Sequence, residues 1–312
     1  MTALLADIGG TNARFALLDG ARPGPPLVLQ VSAFPTFEAA LAEALAQLAP
    51  GRAVTQAVLA LAGPVTGDVV RLTNAAWEVS APALRARFGF ARVRLVNDFL
   101  AQAHALPHLA GADLRRIGGG AAEPGAPMVV LGPGTGLGVA GFLPGAGIAV
   151  PTEGGHLGLA PTDAAEDAVV AALRARDGRA GAEEALSGRG LGFLHQVMAA
   201  RRDASLPARD AAAVIAAAET CPVAAEAVEV FLGLLAGLAG DLALAWGARG
   251  GVFVAGGIPP RLAHRLDEAR FRARFEAKAP MQDWMRGVPL ALVLHPAPAF
   301  LGLAALARIE QP

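Results

Sequence analysis

The stretch Asp7-Ile8-Gly9-Gly10-Thr11-Asn12-Ala13-Arg14-Phe15-Ala16-Leu17 sets a carboxylate and a glycine turn between two apolar runs. The run before it, Ala3-Leu4-Leu5-Ala6, and the run after it, Ala13 to Leu18, are each of strand length. Gly9-Gly10 allows the positive φ that a tight connection takes. The spacing therefore predicts a hairpin with free backbone N–H groups at its tip, suited to holding phosphate. Thr11 and Asn12 add a hydroxyl and an amide, and Asp7 stands where it would face a divalent cation accompanying that phosphate. Read alone, the stretch favours an ordinary hairpin with turn-forming residues, so the rest of the chain has to decide.

The pattern returns in mid-chain. Met128-Val129-Val130-Leu131 leads into Gly132-Pro133-Gly134-Thr135-Gly136-Leu137-Gly138, followed by the apolar Val139 to Leu143. With Gly10-Thr11 laid over Gly134-Thr135, Asp7 falls on Leu131, so the second copy keeps the turn and loses the carboxylate. Two such hairpins in a duplicated fold would each clamp one side of a nucleotide's phosphates; two glycine-rich hairpins of this length also arise by chance.

Between the copies, Leu27 to Ala33 extends the opening meander as a third strand. Phe37, Leu41, Leu45 and Leu48 recur at helical spacing, and Gln56 to Ala62 reads as a buried strand. Trp77 to Phe88 holds a short helix begun by Pro82. Val93 to Val96 is a strand running into Asn97-Asp98, from which Phe99 to Leu106 is helical. Strands alternating with helices after an antiparallel start argue for α/β layers. At 312 residues the chain suits two domains. The stretch 111–127, rich in Gly, Ala and Pro, marks the boundary. Gly251 to Ile258 is a buried strand opening on the pair Gly256-Gly257, and Ala299 to Ile309 is a helix that would pack back on the N-terminal half. The expected division is a small α/β domain over 1–110, completed by a C-terminal helix over 298–312, and a large α/β domain over 111–297.

A chain 54% hydrophobic and 17% charged is globular with ample core. Its formal net charge of -1 gives no electrostatic footprint for nucleic acid or an anionic membrane, which leaves small molecules as partners. One cysteine, Cys221, makes an internal disulfide and a multi-cysteine zinc site impossible and suits a reducing compartment, the cytoplasm by default. The apolar N-terminus lacks a basic flank and is interrupted at Asp7, so it reads as a strand and not a signal peptide. Phe231 to Trp246, broken by Asp241 and several glycines, reads as a buried helix and not a membrane span. Lys278 is the only lysine. No glycine-rich loop holds one, which excludes a Walker-type P-loop and a protein-kinase lysine as the phosphate device.

Asp98 stands between a strand and a helix. As a local matter it is an N-cap, yet the C-terminal end of a strand is also where α/β folds place ligands. Glu153 and His156 are too few for zinc and suit hydrogen bonding to a polyhydroxy ligand. His104 and His108, separated by Pro107, are structural or surface residues. Gly136-x-Gly138-x-x-Gly141 matches a dinucleotide fingerprint as a string, but strand-like residues follow it and no helix opens there. Cys221, beside Pro222, has no basic partner near it in sequence and reads as inert.

The ordered set resembles the bacterial glucokinases of the non-ROK type over essentially the whole chain. It runs through Asp7 to Arg14, Gly63-Pro64-Val65-Thr66-Gly67-Asp68, Leu72-Thr73-Asn74 and Val96-Asn97-Asp98-Phe99. It continues through Gly134 to Gly138, Glu153-Gly154-Gly155-His156, Leu186-Ser187-Gly188 and Ala255-Gly256-Gly257-Ile258. The resemblance implies a two-domain actin-like ATPase (ribonuclease H-like) fold with an active-site cleft between domains, and ATP-dependent phosphorylation of glucose. It implies Asp98 as general base for the sugar's 6-hydroxyl, with Asn97, Glu153, His156 and Glu183 on the other hydroxyls. ATP would lie against Asp7, Gly9, Gly10, Thr11, Asn12, Gly134, Thr135 and Gly136, its adenosine beside Gly256 and Gly257, with Mg²⁺ near Asp7 through water. A homodimer is also implied.

Two positions stand out against that pattern. Thr152 replaces the family's usual glycine, which would stiffen the sugar loop, and Glu184 adjoins Glu183, which is chosen by its spacing from Leu186-Ser187-Gly188. The one cysteine does not fit the cysteine-rich zinc site typical of the related ROK kinases. The rival readings are a kinase for another hexose or an amino sugar, and a non-catalytic sugar-binding regulator of the same fold. Asp7 and Asp98, and the six residues before Asp7 that leave no room for a DNA-binding module, weigh against the regulator.

Overall fold

A computed structural model describes residues 2–20, 22–72 and 76–309. Thr73 and Asn74 of the expected Leu72-Thr73-Asn74 motif, and residues 310–312 of the expected C-terminal helix, lie outside them. The chain forms two compact units, Met1–Leu109 with Pro296–Pro312, and Ala110–His295.

In the first unit, β1 (Ala3–Ile8) and β2 (Asn12–Leu18) make the expected hairpin, with Asp7 opposite Arg14. Neither Gly9 nor Gly10 takes a positive φ, contrary to expectation. The tip is closed instead by the Gly9 N–H on the Asn12 carbonyl at 3.0 Å, and a Cβ at Gly9 would meet that oxygen at an ordinary 3.5 Å. β3 (Leu27–Gln30) ends earlier than the 27–33 strand expected; Val31–Ala33 turn into a 3₁₀ helix, and the Val31 N–H bonds the Thr11 carbonyl at 2.9 Å.

Next come α1 (Phe37–Leu48), capped by the Thr36 hydroxyl, β4 (Gln56–Leu61), the short antiparallel pair β5 (Val69–Arg71) and β6 (Glu78–Ser80), and α2 (Ala81–Phe88). β7 (Arg92–Asn97) then runs directly into α3 (Asp98–Ala105). The sheet order is β3-β2-β1-β4-β7, with β1, β4 and β7 parallel. All six residues of β4 are buried, as a central parallel strand covered on both faces requires. Phe15, Phe37, Leu41, Trp77 and Leu84 form one core cluster of this unit, and Leu5, Val58, Ala101, Phe300 and Leu303 another.

The second unit begins with β8 (Leu114–Arg116), a short strand inside the stretch expected to be only a boundary. β9 (Met128–Pro133) and β10 (Leu137–Leu143) form the second hairpin, and β11 (Ile148–Thr152) extends it. Helices α4 (Ala164–Asp177), α5 (Ala182–Ala185), α6 (Gly188–Arg201), α7 (Ala211–Ala217) and α8 (Pro222–Trp246) follow. β12 (Gly251–Val254), α9 (Glu268–Glu276), α10 (Gln282–Gly287) and β13 (Leu290–Val293) complete the unit.

Its sheet order is β11-β10-β9-β12-β13-β8, with β9, β12 and β13 parallel and β8 antiparallel at the edge. The first five positions repeat the order and senses of the first unit, so the duplication suggested by the two Gly-Thr turns extends to whole sheets. Leu131, laid over Asp7, faces Val139, both buried, and Arg14 falls on Gly138.

α8 is long and apolar enough by length and composition to cross a membrane, but 78% of its most apolar window is buried in the protein, with Phe231, Leu235 and Leu242 in the core. The dinucleotide-like glycine string falls on the second hairpin and has packing causes. β10 continues as strand through it, and a Cβ at Gly141 would lie 2.3 Å from the Trp246 ring of α8.

The last helix, α11 (Ala299–Arg308), belongs to the first unit. It crosses α3 so closely that a Cβ at Gly302 would lie 1.8 Å from the Ala101 carbonyl oxygen. Gln56 Nε2, buried in β4, donates to the Ala307 carbonyl at 3.1 Å.

Candidate active site

In the first unit the site grows from the end of β7. The N-cap of α3 is Asn97, not Asp98: Asn97 Oδ1 accepts the N–H groups of Phe99 at 2.9 Å and Leu100 at 3.2 Å. Asn97 Nδ2 donates to the Gly63 carbonyl and to Asp98 Oδ1, each at 3.0 Å, so the amide is fully used within the protein. Capping by its neighbour moves Asp98 into the first turn. There Oδ1 accepts the Phe99 N–H at 3.0 Å and the Asn97 amide, and Oδ2 has no hydrogen bond among the described residues.

Burial, and then the negative charge of Asp7, push the Asp98 carboxyl up from 3.8 to about 7, against the pull of its hydrogen bonds. Asp7 is raised as well, by burial, with Arg14 opposing. Arg14 Nη1 reaches Asp7 Oδ2 at 3.3 Å, and the Asp7 side chain remains 21% exposed. Beyond Asp7, Thr11 is exposed at the hairpin tip, and Asn12 Oδ1 accepts the Gln30 amide at 2.8 Å.

In the second unit three glycine segments meet at the end of β9. The Gly134 N–H bonds the Gly136 carbonyl at 2.8 Å, and the Gly134 carbonyl accepts the Gly188 N–H at the start of α6, also at 2.8 Å. Gly256 has φ +86, and a Cβ there would lie 2.4 Å from the Pro133 carbonyl, so only glycine lets that turn close onto β9. Thr135 is exposed at the tip.

Glu153-Gly154-Gly155-His156 docks on the first residues of β10. A Cβ at Gly155 would lie 1.9 Å from the Leu137 carbonyl oxygen. The Thr152 hydroxyl donates to the Val139 carbonyl at 2.9 Å and accepts the Gly154 N–H at 3.1 Å, which staples the loop as the non-glycine residue was expected to do. Glu153 Oε2 lies 3.8 Å from His156 Nε2, and both side chains are exposed. His156 and Glu183 line one pocket with Asp177, Arg179, Gly181 and Glu184. Within that pocket Glu183 Oε2 accepts the Leu137 N–H at 2.8 Å, whereas Glu184 is held by Arg176 at 2.8 Å.

Among the described residues no three His, Cys, Asp or Glu side chains gather as a metal cluster. His104 is buried in α3, its pKa pushed down to about 4 chiefly by burial, which fits a structural residue. Sequence reasoning missed three groups that position the others: the Arg14 guanidinium, the Gly63 carbonyl and the Leu137 N–H. Arg14 had a signal, because a hairpin turning on Gly10-Thr11 sets it opposite Asp7. The two backbone groups had none, because any residue type supplies them.

The crystal structure of a glucokinase from Balamuthia mandrillaris in complex with glucose superposes with a TM-score of 0.81 at 22% identity, covering 99% of this chain and 94% of that one. The repeated sheets and the hairpins at their ends define a two-domain α/β protein of the actin-like ATPase fold. A glucokinase from Paramagnetospirillum magneticum is 42% identical over 310 residues, 97% of this chain and 96% of that protein. The crystal structure of a glucokinase from an Antarctic psychrotroph has a TM-score of 0.87 at 35% identity, covering 98% of both chains. The family model Glucokinase matches residues 4–310, and the chain belongs to the glucokinase family of enzymes.

Proposed function

We propose that the chain transfers the γ-phosphoryl group of ATP to the 6-hydroxyl of glucose, with Asp98 as general base. The observation that carries this reading is the state of the Asp98 carboxylate: one oxygen is tied down, the other has no partner among the described residues, and its pKa near 7 lets it both lose and accept a proton at neutral pH. The free oxygen takes the hydroxyl proton as the sugar oxygen bonds to phosphorus and ADP leaves. Little further covalent help is needed, because phosphoryl transfer depends on in-line positioning and charge neutralisation.

Asn97 contributes by holding Asp98, and reaches a sugar hydroxyl only by exchanging its bond to Gly63. Glu153, His156 and Glu183 bind the remaining hydroxyls. The backbone around Gly9, Gly10, Thr11 and Asn12, and around Gly134, Thr135 and Gly136, binds phosphate, and Gly256-Gly257 receives the adenosine. Asp7 fits a water-mediated Mg²⁺ as a partly exposed carboxylate at a phosphate hairpin, one the ion would share with Arg14, 3.3 Å away. When bound, that ion neutralises phosphate charge. A cytoplasmic homodimer is the setting we propose.

The test is sugar-dependent ADP release across glucose, mannose, fructose, N-acetylglucosamine and N-acetylmannosamine, with ATP and polyphosphate each as donor. Glucose with ATP is expected to lead. A different leading sugar would give the site to another hexose or amino sugar, and no activity with any would favour a sugar-binding regulator.

A further inference from the structure

The Leu137 peptide sits between the two ligand-facing segments of the second unit. Its N–H donates to Glu183 Oε2 at 2.8 Å, and its carbonyl is packed against Gly155 of the Glu-Gly-Gly-His loop. Leu137 follows directly on the Gly134-Thr135-Gly136 turn, and the Glu183 carboxylate lies over that turn so closely that a Cβ at Gly136 would be 2.5 Å from Oε2. The other oxygen, Oε1, belongs to a side chain that lines the pocket shared with His156, and its nearest cation, on Arg189, is 3.9 Å away on a largely exposed side chain. The short helix α5 that carries Glu183 is itself tied to the exit of the sugar loop: the Ala182 N–H bonds the Leu157 carbonyl at 2.8 Å, and the Leu159 N–H bonds the Ala180 carbonyl at 3.1 Å.

From this geometry we infer that Glu183 is a bridge between sugar and nucleotide binding, holding the phosphate hairpin by one oxygen and the sugar by the other. The inference rests on the proposed glucokinase reading, which places sugar in this pocket and phosphate at this turn. Its physical basis is that a group biased by both ligands couples their binding. A hydroxyl donating to Oε1 fixes the carboxylate, and fixing the carboxylate fixes the Leu137 N–H at the base of the hairpin. The nucleotide then binds a turn whose ordering cost the sugar has already met. Glu184, held by Arg176 in the same pocket, has no hydrogen bond to the hairpin among the described residues and does not share the role.

The test is calorimetric titration of the Mg²⁺ complex of AMPPNP into the whole protein, with and without saturating glucose. In the unmodified protein glucose is expected to tighten the analogue by about 5-fold or more. In Glu183→Ala that factor is expected to fall to within about 2-fold of unity, and in Glu184→Ala to stay near the original value. Because Glu183→Ala leaves the Leu137 N–H without its acceptor and is liable to disturb folding, hydrogen exchange of the Leu137 amide in the unmodified protein gives a second readout. Glucose alone is expected to slow it by about 5-fold or more.

Unchanged Leu137 exchange would overturn the inference. So would full coupling in Glu183→Ala, or equal loss in Glu184→Ala. Binding of glucose and analogue without mutual effect would defeat the bridge and leave the glucokinase reading standing, whereas no glucose binding at all would remove both.

Discussion

At the scale of single residues, the functional weight falls on which neighbour takes the capping role. Asn and Asp are equally good N-caps, so Asn97-Asp98 does not declare in sequence which of them caps α3. Because Asn97 does, Asp98 keeps an uncommitted oxygen, and burial beside Asp7 raises its pKa to about 7. Glucose kcat/KM is therefore expected to rise with pH along a limb centred near 7. In Asp7→Asn the limb should move to lower pH, whatever its height, because the neighbouring negative charge is gone; a limb left in place would show that Asp7 does not act on Asp98. Stability follows the opposite course. The folded-state pKa of Asp98 lies above its ordinary 3.8, so protonation favours the folded chain, fully below about pH 4 and progressively less as pH rises through 7. The ligand-free Asp98→Asn variant cannot ionise and should melt a few degrees above the unmodified protein at pH 8, with the gap closing toward pH 4; a thermal scan at both pH values checks it.

At the scale of elements, α3 aims Asp98 and α11 holds α3. Their contact is backbone against backbone at Gly302 and Ala101, which leaves no side chain to yield. Gly302→Val should push the helices apart at a cost of about 1–3 kcal/mol, lower the melting temperature, and reduce kcat through the displaced carboxylate; an unchanged melting curve would contradict the contact. The long amphipathic and apolar elements, α1, β4 and α8, were legible because their periodicity or continuous burial is written in side chains. β8 and α5 were not: elements of three and four residues carry no period, and β8 exists only because β13 offers it an edge. The consequence for the site is direct, since α5 carries Glu183.

At the scale of the whole chain, the opening hairpin is the first half of a repeat. Two Gly-Thr turns 124 positions apart reported it, and two sheets of the same strand order bear it out. Only one copy carries a carboxylate, in keeping with the single metal-facing residue we propose; the other fills that place with the buried Leu131. What the sequence hid at this scale are backbone contacts, such as Gly155 on the Leu137 carbonyl, that any side-chain pattern is blind to. The central claim is that Asp98 removes the proton from the sugar hydroxyl, and it is tested most directly by measuring turnover and glucose binding together in Asp98→Asn. Turnover with glucose and ATP is expected to fall by about 10²–10⁴-fold while calorimetry still detects glucose binding. Turnover near that of the unmodified protein would contradict it.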